Sequence, residues 1–162
     1  MLKTERMDRV RAALRAQGLT QMIVCDPKSV WYLTGVAVEP YERLLAFYLP
    51  TEGEPVLFLN RLFNVPEPPC RHVWHTDTDK PVAQIAEVVD AGRPLGIDKE
   101  WPAKFLIPLM EIHPGMQVVL SSDCVDDCRA CKDAEEQALM REASRINDAV
   151  NEDAKHYIKA GM

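Results

Sequence analysis

Glycine and basic charge are both scarce in this chain. The seven glycines among 162 residues are scattered, which excludes the glycine-rich loops that cradle phosphates and dinucleotides. Lysine and arginine total 19 against 25 aspartates and glutamates, a formal charge of -6. Such a balance argues against a nucleic-acid surface, which is normally basic, and against docking on anionic membranes. No run of about 18 apolar residues occurs, so no transmembrane helix is predicted. The charged opening from Met1 to Arg9 is followed by no apolar leader, and the expected location is cytoplasmic. The five cysteines are odd in number and only Cys124, Cys128 and Cys131 cluster, so reduced thiols are expected rather than a disulfide framework. Internal repeats and low-complexity tracts are absent as well. What is present is an ordinary globular composition, 47% hydrophobic and 27% charged. That is too apolar for disorder, and a chain of this length can bury roughly two-thirds of its unfolded surface.

Helical and strand periods then alternate. Met7, Val10 and Leu14 lie at i, i+3 and i+7 between Thr4 and Gln17, with Gly18 as a stop, which predicts an amphipathic helix. Gln21 to Cys25 is a short apolar run expected to be a buried strand. Asp26-Pro27 supplies an N-cap followed by proline at the first helical position, opening a short helix over Lys28 to Leu33 that ends at Gly35. Arg43 to Leu49 and Pro55 to Leu59 flank a glycine-containing turn and read as a hairpin. Pro66, Pro68 and Pro69 fix a non-helical approach to a strand over Arg71 to Thr76. Asp79 is expected to cap a helix reaching Asp90, with Val82, Ile85, Ala86 and Val89 on one face. Pro94 to Asp98 and Gln117 to Leu120 read as strands. Trp101 to Ile112 between them reads as a helix that Pro108 should kink or break. Finally Asp133 and Glu136 form a capping box. Leu139, Ala143, Ile146, Val150 and Tyr157 then follow helical spacing over about 25 residues. The expected fold is α/β, a three-layer domain with a mixed β-sheet flanked by helices. The expected organisation is a domain over residues 1–132 followed by a long helix in 133–162.

Several constellations invite chemistry. Cys124, Cys128 and Cys131 have the spacing of an iron–sulfur loop, but the acidic neighbours Asp123, Asp126 and Asp127 oppose thiolate formation. The simpler reading is one buried helix face at i, i+4, i+7, with cysteine as a small apolar residue. Cys70, His72 and His75 could be zinc ligands, yet on a strand 70 and 72 face one side and 75 the other, and no fourth ligand is evident. Glu135, Glu136, Glu142 and Asp148 alternate with Arg141 and Arg145 as a solvated helix face. Ser121-Ser122 lacks the flanking glycines of a nucleophile elbow. Tyr41 and Arg43 stand in an acidic, proline-marked loop. A ring and a guanidinium two residues apart can stack on a ligand and clamp its carboxylate. The alternative is Arg43 paired at the surface with Glu39 or Glu42.

The ordered set of motifs resembles the N-terminal domain of the creatinase/prolidase family. Its marks are the helix ending in Gly18-Leu19, the stretch Asp26-Pro27-Lys28-Ser29-Val30-Trp31-Tyr32-Leu33-Thr34-Gly35, the strand led by Arg43, and the hairpin Glu52-Gly53-Glu54-Pro55-Val56-Leu57. The closing stretch Arg129 to Ala143, with Lys132, Asp133, Glu136, Leu139, Met140 and Arg141, is the strongest match. The resemblance implies a ribonuclease H-like motif in the fold. It also implies a Xaa-Pro dipeptidase or aminopeptidase as the whole protein, with this chain as its non-catalytic N-terminal domain, aiding dimerisation and substrate gating. Residues 133–162 would be the linker and first helix of a C-terminal catalytic domain, so the chain reads as truncated and inactive alone. It implies no cofactor in this chain and two divalent ions (Mn, Co or Zn) in the catalytic domain, where such a pair activates water. The partners implied are that domain, a second subunit, and a proline-containing dipeptide or similar small substrate. Tyr41 and Arg43 fall where family members contact a substrate carboxylate, although Glu42 stands where glycine is usual. Two other functions stay open: a non-catalytic peptide- or protein-binding module, and the N-terminal domain of a creatinase-type amidinohydrolase.

Overall fold

The structure is a computed structural model that describes residues 2–162. Its backbone forms two compact units, Met1–Cys128 and Arg129–Met162. In the first, the order is α1 (Thr4–Ala16), β1 (Gln21–Val24), α2 (Pro27–Thr34), β2 (Ala46–Pro50), β3 (Val56–Asn60) and β4 (His72–His75). Then follow α3 (Pro81–Ala86), β5 (Leu95–Ile97), α4 (Ala103–Ile112), β6 (Val118–Leu120) and α5 (Asp123–Ala130), whose last residues, Arg129 and Ala130, fall in the second unit. The second unit contains α6 (Ala134–Ala154).

The strands make one mixed sheet in the order β4-β3-β2-β1-β5-β6. Antiparallel pairing links β1 to β2 and β2 to β3, with Ile23 opposite Tyr48 and Phe47 opposite Leu57. Parallel pairing adds β4 outside β3, and β5 then β6 outside β1. Both faces are covered, so the central strands read as continuous apolar runs rather than as alternation. One face presents Met22, Val24, Phe47, Leu49, Leu57 and Leu59 to a core that includes Met7, Val10 and Leu14 of α1. The other presents Ile23, Ala46, Tyr48, Val56, Phe58 and Leu95 to a core with Ile85 of α3 and Leu109 of α4. This is the α/β three-layer arrangement expected from the sequence. Phe47 and Phe58 are fully buried, each stabilising the fold by roughly 2–3 kcal/mol.

Local signals explain most boundaries. Asp26 caps α2 by accepting from the Ser29 N–H, Pro27 opens it, and Gly35 closes it at φ 75°, a left-handed position that suits glycine. Asp133 and Glu136 make the reciprocal capping box that starts α6. That helix carries no buried residue and ends at Ala154, short of Tyr157.

Other expectations need correcting. Strand β2 begins at Ala46, because Arg43 closes a turn by donating its N–H to the Pro40 carbonyl at 2.9 Å. Asp79 does not cap α3. Its carboxylate accepts from the Thr76 N–H at 2.6 Å and hydroxyl at 2.8 Å, closing a turn, so the helix waits for Pro81 and stops at Ala86 instead of Asp90. Helix α4 runs through Pro108. The proline gives the Lys104 carbonyl no N–H to accept from, a cost of about 3 kcal/mol that the packing of Phe105, Leu106 and Leu109 on the sheet offsets. Cys124 and Cys128 are buried as expected, but Cys131 is exposed. Helix α5 ends at Ala130, so the helical face stops before reaching it.

Candidate functional site

The loop before β2 and the C-terminal ends of β3 and β4 meet around Arg43. The chain turns over Pro40–Arg43, where Tyr41 adopts φ 51° and is the one non-glycine residue with positive φ among the described residues. That left-handed backbone is uncommon for a bulky aromatic residue and stores strain. Lys104, from α4, donates to the Glu42 carbonyl and stiffens the turn from below. Tyr41 itself is 80% exposed.

Arg43 is held by an acid from elsewhere in the chain. Its Nε and Nη2 donate to Oδ1 and Oδ2 of Asp77, each at 3.0 Å, a bidentate fork. Its Nη1 lies 3.2 Å from Glu42. The fork holds the Asp77 carboxyl below the usual carboxylate range, with help from the Asn60 amide. Asn60, at the end of β3 and 1% exposed, donates to Asp77 Oδ1 at 2.8 Å and accepts the Leu62 N–H at 2.9 Å.

His75 lies behind Asn60 and is 2% exposed. Its Nε2 is 3.1 Å from the Leu44 carbonyl, which can only accept, so the proton is on Nε2. The bare Nδ1 then faces the Asn60 amide at 3.4 Å. Burial pushes His75 below the ordinary histidine range, which favours this neutral tautomer. A cavity of about 420 Å³ opens beside the cluster, lined by Arg43, Asn60, His75, Asp77 and Asp79. A smaller hollow of about 180 Å³ lies on the other side of the loop and is lined by both Tyr41 and Arg43.

Three residues lining that hollow, Cys25, Asp26 and Glu100, converge on a buried carboxylate behind it. Asp98, 5% exposed, accepts the Cys25 N–H at 2.6 Å, the Asp26 N–H at 2.9 Å and the Glu100 N–H at 3.1 Å. The Cys25 thiol also donates to it at 2.9 Å. Burial first, and the Asp98 charge second, drive the thiol far above its ordinary range. Cys25 is therefore a hydrogen-bond donor and not a nucleophile.

The sequence-predicted pair is thus brought to one hollow, with Arg43 engaged by Asp77 and Glu42 and not by Glu39. Asp77 and Asn60 escaped the sequence reading, and His75 entered it only as a zinc-ligand candidate, because their partners are distant along the chain. The one local signal was the strand spacing that turned His75 away from Cys70 and His72. His72 instead sits 3.1 Å from Glu67, and burial pushes the Cys70 thiol up to about 11. Ser122 accepts the Lys99 N–H at 2.8 Å, a structural role. Among the described residues no three His, Cys, Asp or Glu side chains come together as a metal-holding group.

Comparison with known proteins places this site in context. A family model for the creatinase/prolidase N-terminal domain matches residues 6–131. A probable dipeptidase PepE of Mycobacterium tuberculosis is 27% identical over 159 residues, covering 93% of this chain and 42% of the relative. An uncharacterised peptidase of Staphylococcus epidermidis is 23% identical, covering 94% of this chain and 44% of its own. The chain therefore spans less than half the length of the curated relatives it matches. Among solved structures, a dipeptidase from Pyrococcus horikoshii superposes with a TM-score of 0.81 at 24% identity, over 97% of this chain and 45% of that one. A prolidase from Thermococcus sibiricus gives 0.78 at 25% identity, over 93% and 43%. The creatinase/prolidase N-terminal domain of an X-Pro dipeptidase from Streptococcus pyogenes gives 0.63 at 22%, over 76% and 98%. With the family model spanning most of its length, this chain belongs to the creatinase/prolidase N-terminal domain family.

Proposed function

We propose that this chain is the non-catalytic N-terminal part of a dipeptidase-like metallohydrolase, in which it grips substrate and aids dimer formation. The observation that carries the reading is coverage: the family model takes in residues 6–131, and the dipeptidase relative extends well beyond the matched 42% of its length. The residues present do not fit the two divalent ions implied by the resemblance, since no donor cluster forms among the described residues. Those ions, Mn, Co or Zn, belong in this reading to a following catalytic domain.

Tyr41 and Arg43 take the part of the substrate-gripping pair. Their shared hollow, the rigid turn and the exposed ring support this, because a guanidinium recognises a carboxylate bidentately and an aromatic ring covers an apolar pyrrolidine. The substrate class is a small dipeptide such as Xaa-Pro, the working form a homodimer, and the compartment the cytoplasm. In the longer protein, Arg43→Ala raises KM for an Xaa-Pro dipeptide and leaves metal content unchanged. Unchanged kinetics would remove Arg43 from the site. Hydrolysis of Xaa-Pro dipeptides by the 162-residue chain supplied with manganese would overturn the non-catalytic reading outright.

A further inference from the structure

A guanidinium has two edges that can each grip a carboxylate with a pair of N–H groups. One is formed by Nε and Nη2, the other by Nη1 and Nη2. In this structure the first edge is taken by Asp77, at 3.0 Å on both nitrogens. At the second edge the acid found among the described residues is Glu42, 3.2 Å from Nη1, and the Glu42 side chain is 69% exposed.

Asp77 is not a loose surface partner. Asn60 ties one of its oxygens at 2.8 Å. Asn60 is in turn fixed on its carbonyl side by the Leu62 N–H, and its second amide hydrogen faces the bare Nδ1 of His75. His75 is locked by the Leu44 carbonyl, one residue beyond Arg43. The chain of contacts therefore starts and ends on the same loop. A buried histidine and a buried amide, both from strand ends, set the plane of a carboxylate, which sets the plane of the guanidinium.

We propose that Asp77, held through Asn60 and His75, is the positioning residue for Arg43: it occupies the Nε/Nη2 edge and leaves the Nη1/Nη2 edge presented to the carboxylate of a ligand. This deepens the reading of Arg43 given above and rests on it. The consequence is preorganisation. An arginine side chain that is already ordered gives up less freedom when it binds, and each rotamer-rich side chain freed from that cost improves affinity about three- to tenfold.

The test uses the 162-residue chain labelled with nitrogen-15 and titrated with sodium acetate, against sodium chloride at equal ionic strength. The Arg43 Nε–H signal is assigned by its disappearance in Arg43→Lys. In the native chain that signal is protected from exchange and moves with acetate. In Asp77→Asn it loses protection, and acetate binds about three- to tenfold more weakly. Asp77→Glu restores both in part, which a role in folding alone would not produce, and backbone amide spectra verify that each variant is folded. Equal or tighter acetate binding in Asp77→Asn overturns the proposal, because Asp77 would then be a bystander or a competitor. If acetate never moves the Arg43 signal, the ligand reading of Arg43 falls and this proposal falls with it. Loss of protection in Asp77→Asn identifies that case, since the guanidinium is then held but not used. Protection unchanged in Asp77→Asn while acetate still moves Arg43 sinks the positioning role alone.

Discussion

Replacing Asp98 by alanine tests how the central strand is closed. The carboxylate lies where β1 and β5 end side by side and receives three backbone N–H groups and the Cys25 thiol. Alanine leaves the Cys25 N–H buried with no acceptor, and partly strands the Asp26 N–H as well. Hydrogen bonds to a charged group contribute about 1.5–3 kcal/mol each. Losing the two tightest should therefore cost about 3–6 kcal/mol, a large share of a typical domain's stability. Asp98→Asn keeps one acceptor oxygen and should lose roughly half as much. The assay is urea unfolding followed by the fluorescence of Trp101, which is 7% exposed beside the same strand end, and by circular dichroism. A second readout is chemical. The Cys25 thiol resists a disulfide-exchange reagent in the native chain and becomes reactive in Asp98→Ala. A loss below about 1 kcal/mol, or asparagine behaving as badly as alanine, would refute the view that the nest of N–H groups is what the carboxylate serves.

Four other outcomes follow from the same kind of reasoning. Gly96→Ala places a methyl 2.5 Å from the Ser121 hydroxyl and 3.0 Å from Met22 Cβ, so it lowers the urea midpoint by an equivalent of about 1–3 kcal/mol, and Ser121→Ala recovers part of the loss. His75 has a depressed pKa in the folded chain, so the unfolded chain takes up the proton more readily. Its contribution is full above about pH 6.5 and is lost as pH falls through the folded value. His75→Gln should flatten that slope in unfolding measured between neutral and about pH 5, and a native chain that gains stability over the same range would contradict the assignment. Asp133→Ala removes the N-cap and costs α6 about 1 kcal/mol, seen as helical signal lost from Ala134–Ala154 in residue-resolved exchange. A thiol reagent labels Cys131 first, while Cys124, whose thiol burial pushes up to about 11, reacts only on unfolding.

Much of the fold was legible because its signals are local. The i, i+3, i+7 pattern of Met7, Val10 and Leu14, the Asp26-Pro27 start, the Gly35 stop and the Asp133–Glu136 box act over one or two helical turns, and the structure contains each of them. The misreadings share a cause as well. Asp79 had the right chemistry for a cap, but Thr76 offered it a nearer pair of donors. Pro108 was expected to kink or break its helix, yet the helix continues through it, because three apolar side chains held on the sheet outweigh one missing hydrogen bond. At the site, the pair Tyr41 and Arg43 stood out because two recognition groups lie close in sequence. Asp77 did not, because nothing local marks it, and its value depends on β4 being laid parallel to β3 so that Asn60 and His75 come opposite each other.

The strand order also sets a timetable for synthesis. Ile23 of the central strand meets Tyr48 of β2 soon after both emerge, and β2 turns directly into β3. Its other neighbour, Ile97 of β5, is made much later, after α3. Until then β1 is an open edge on a growing ribosomal product, and the face bearing Ile23, Tyr48 and Phe58 has α3 but not yet α4 to cover it. Loop closure between β1 and β5 is thus the slow, non-local step. A nascent chain stalled before Leu95 should bind a chaperone, and one stalled past α5 should not.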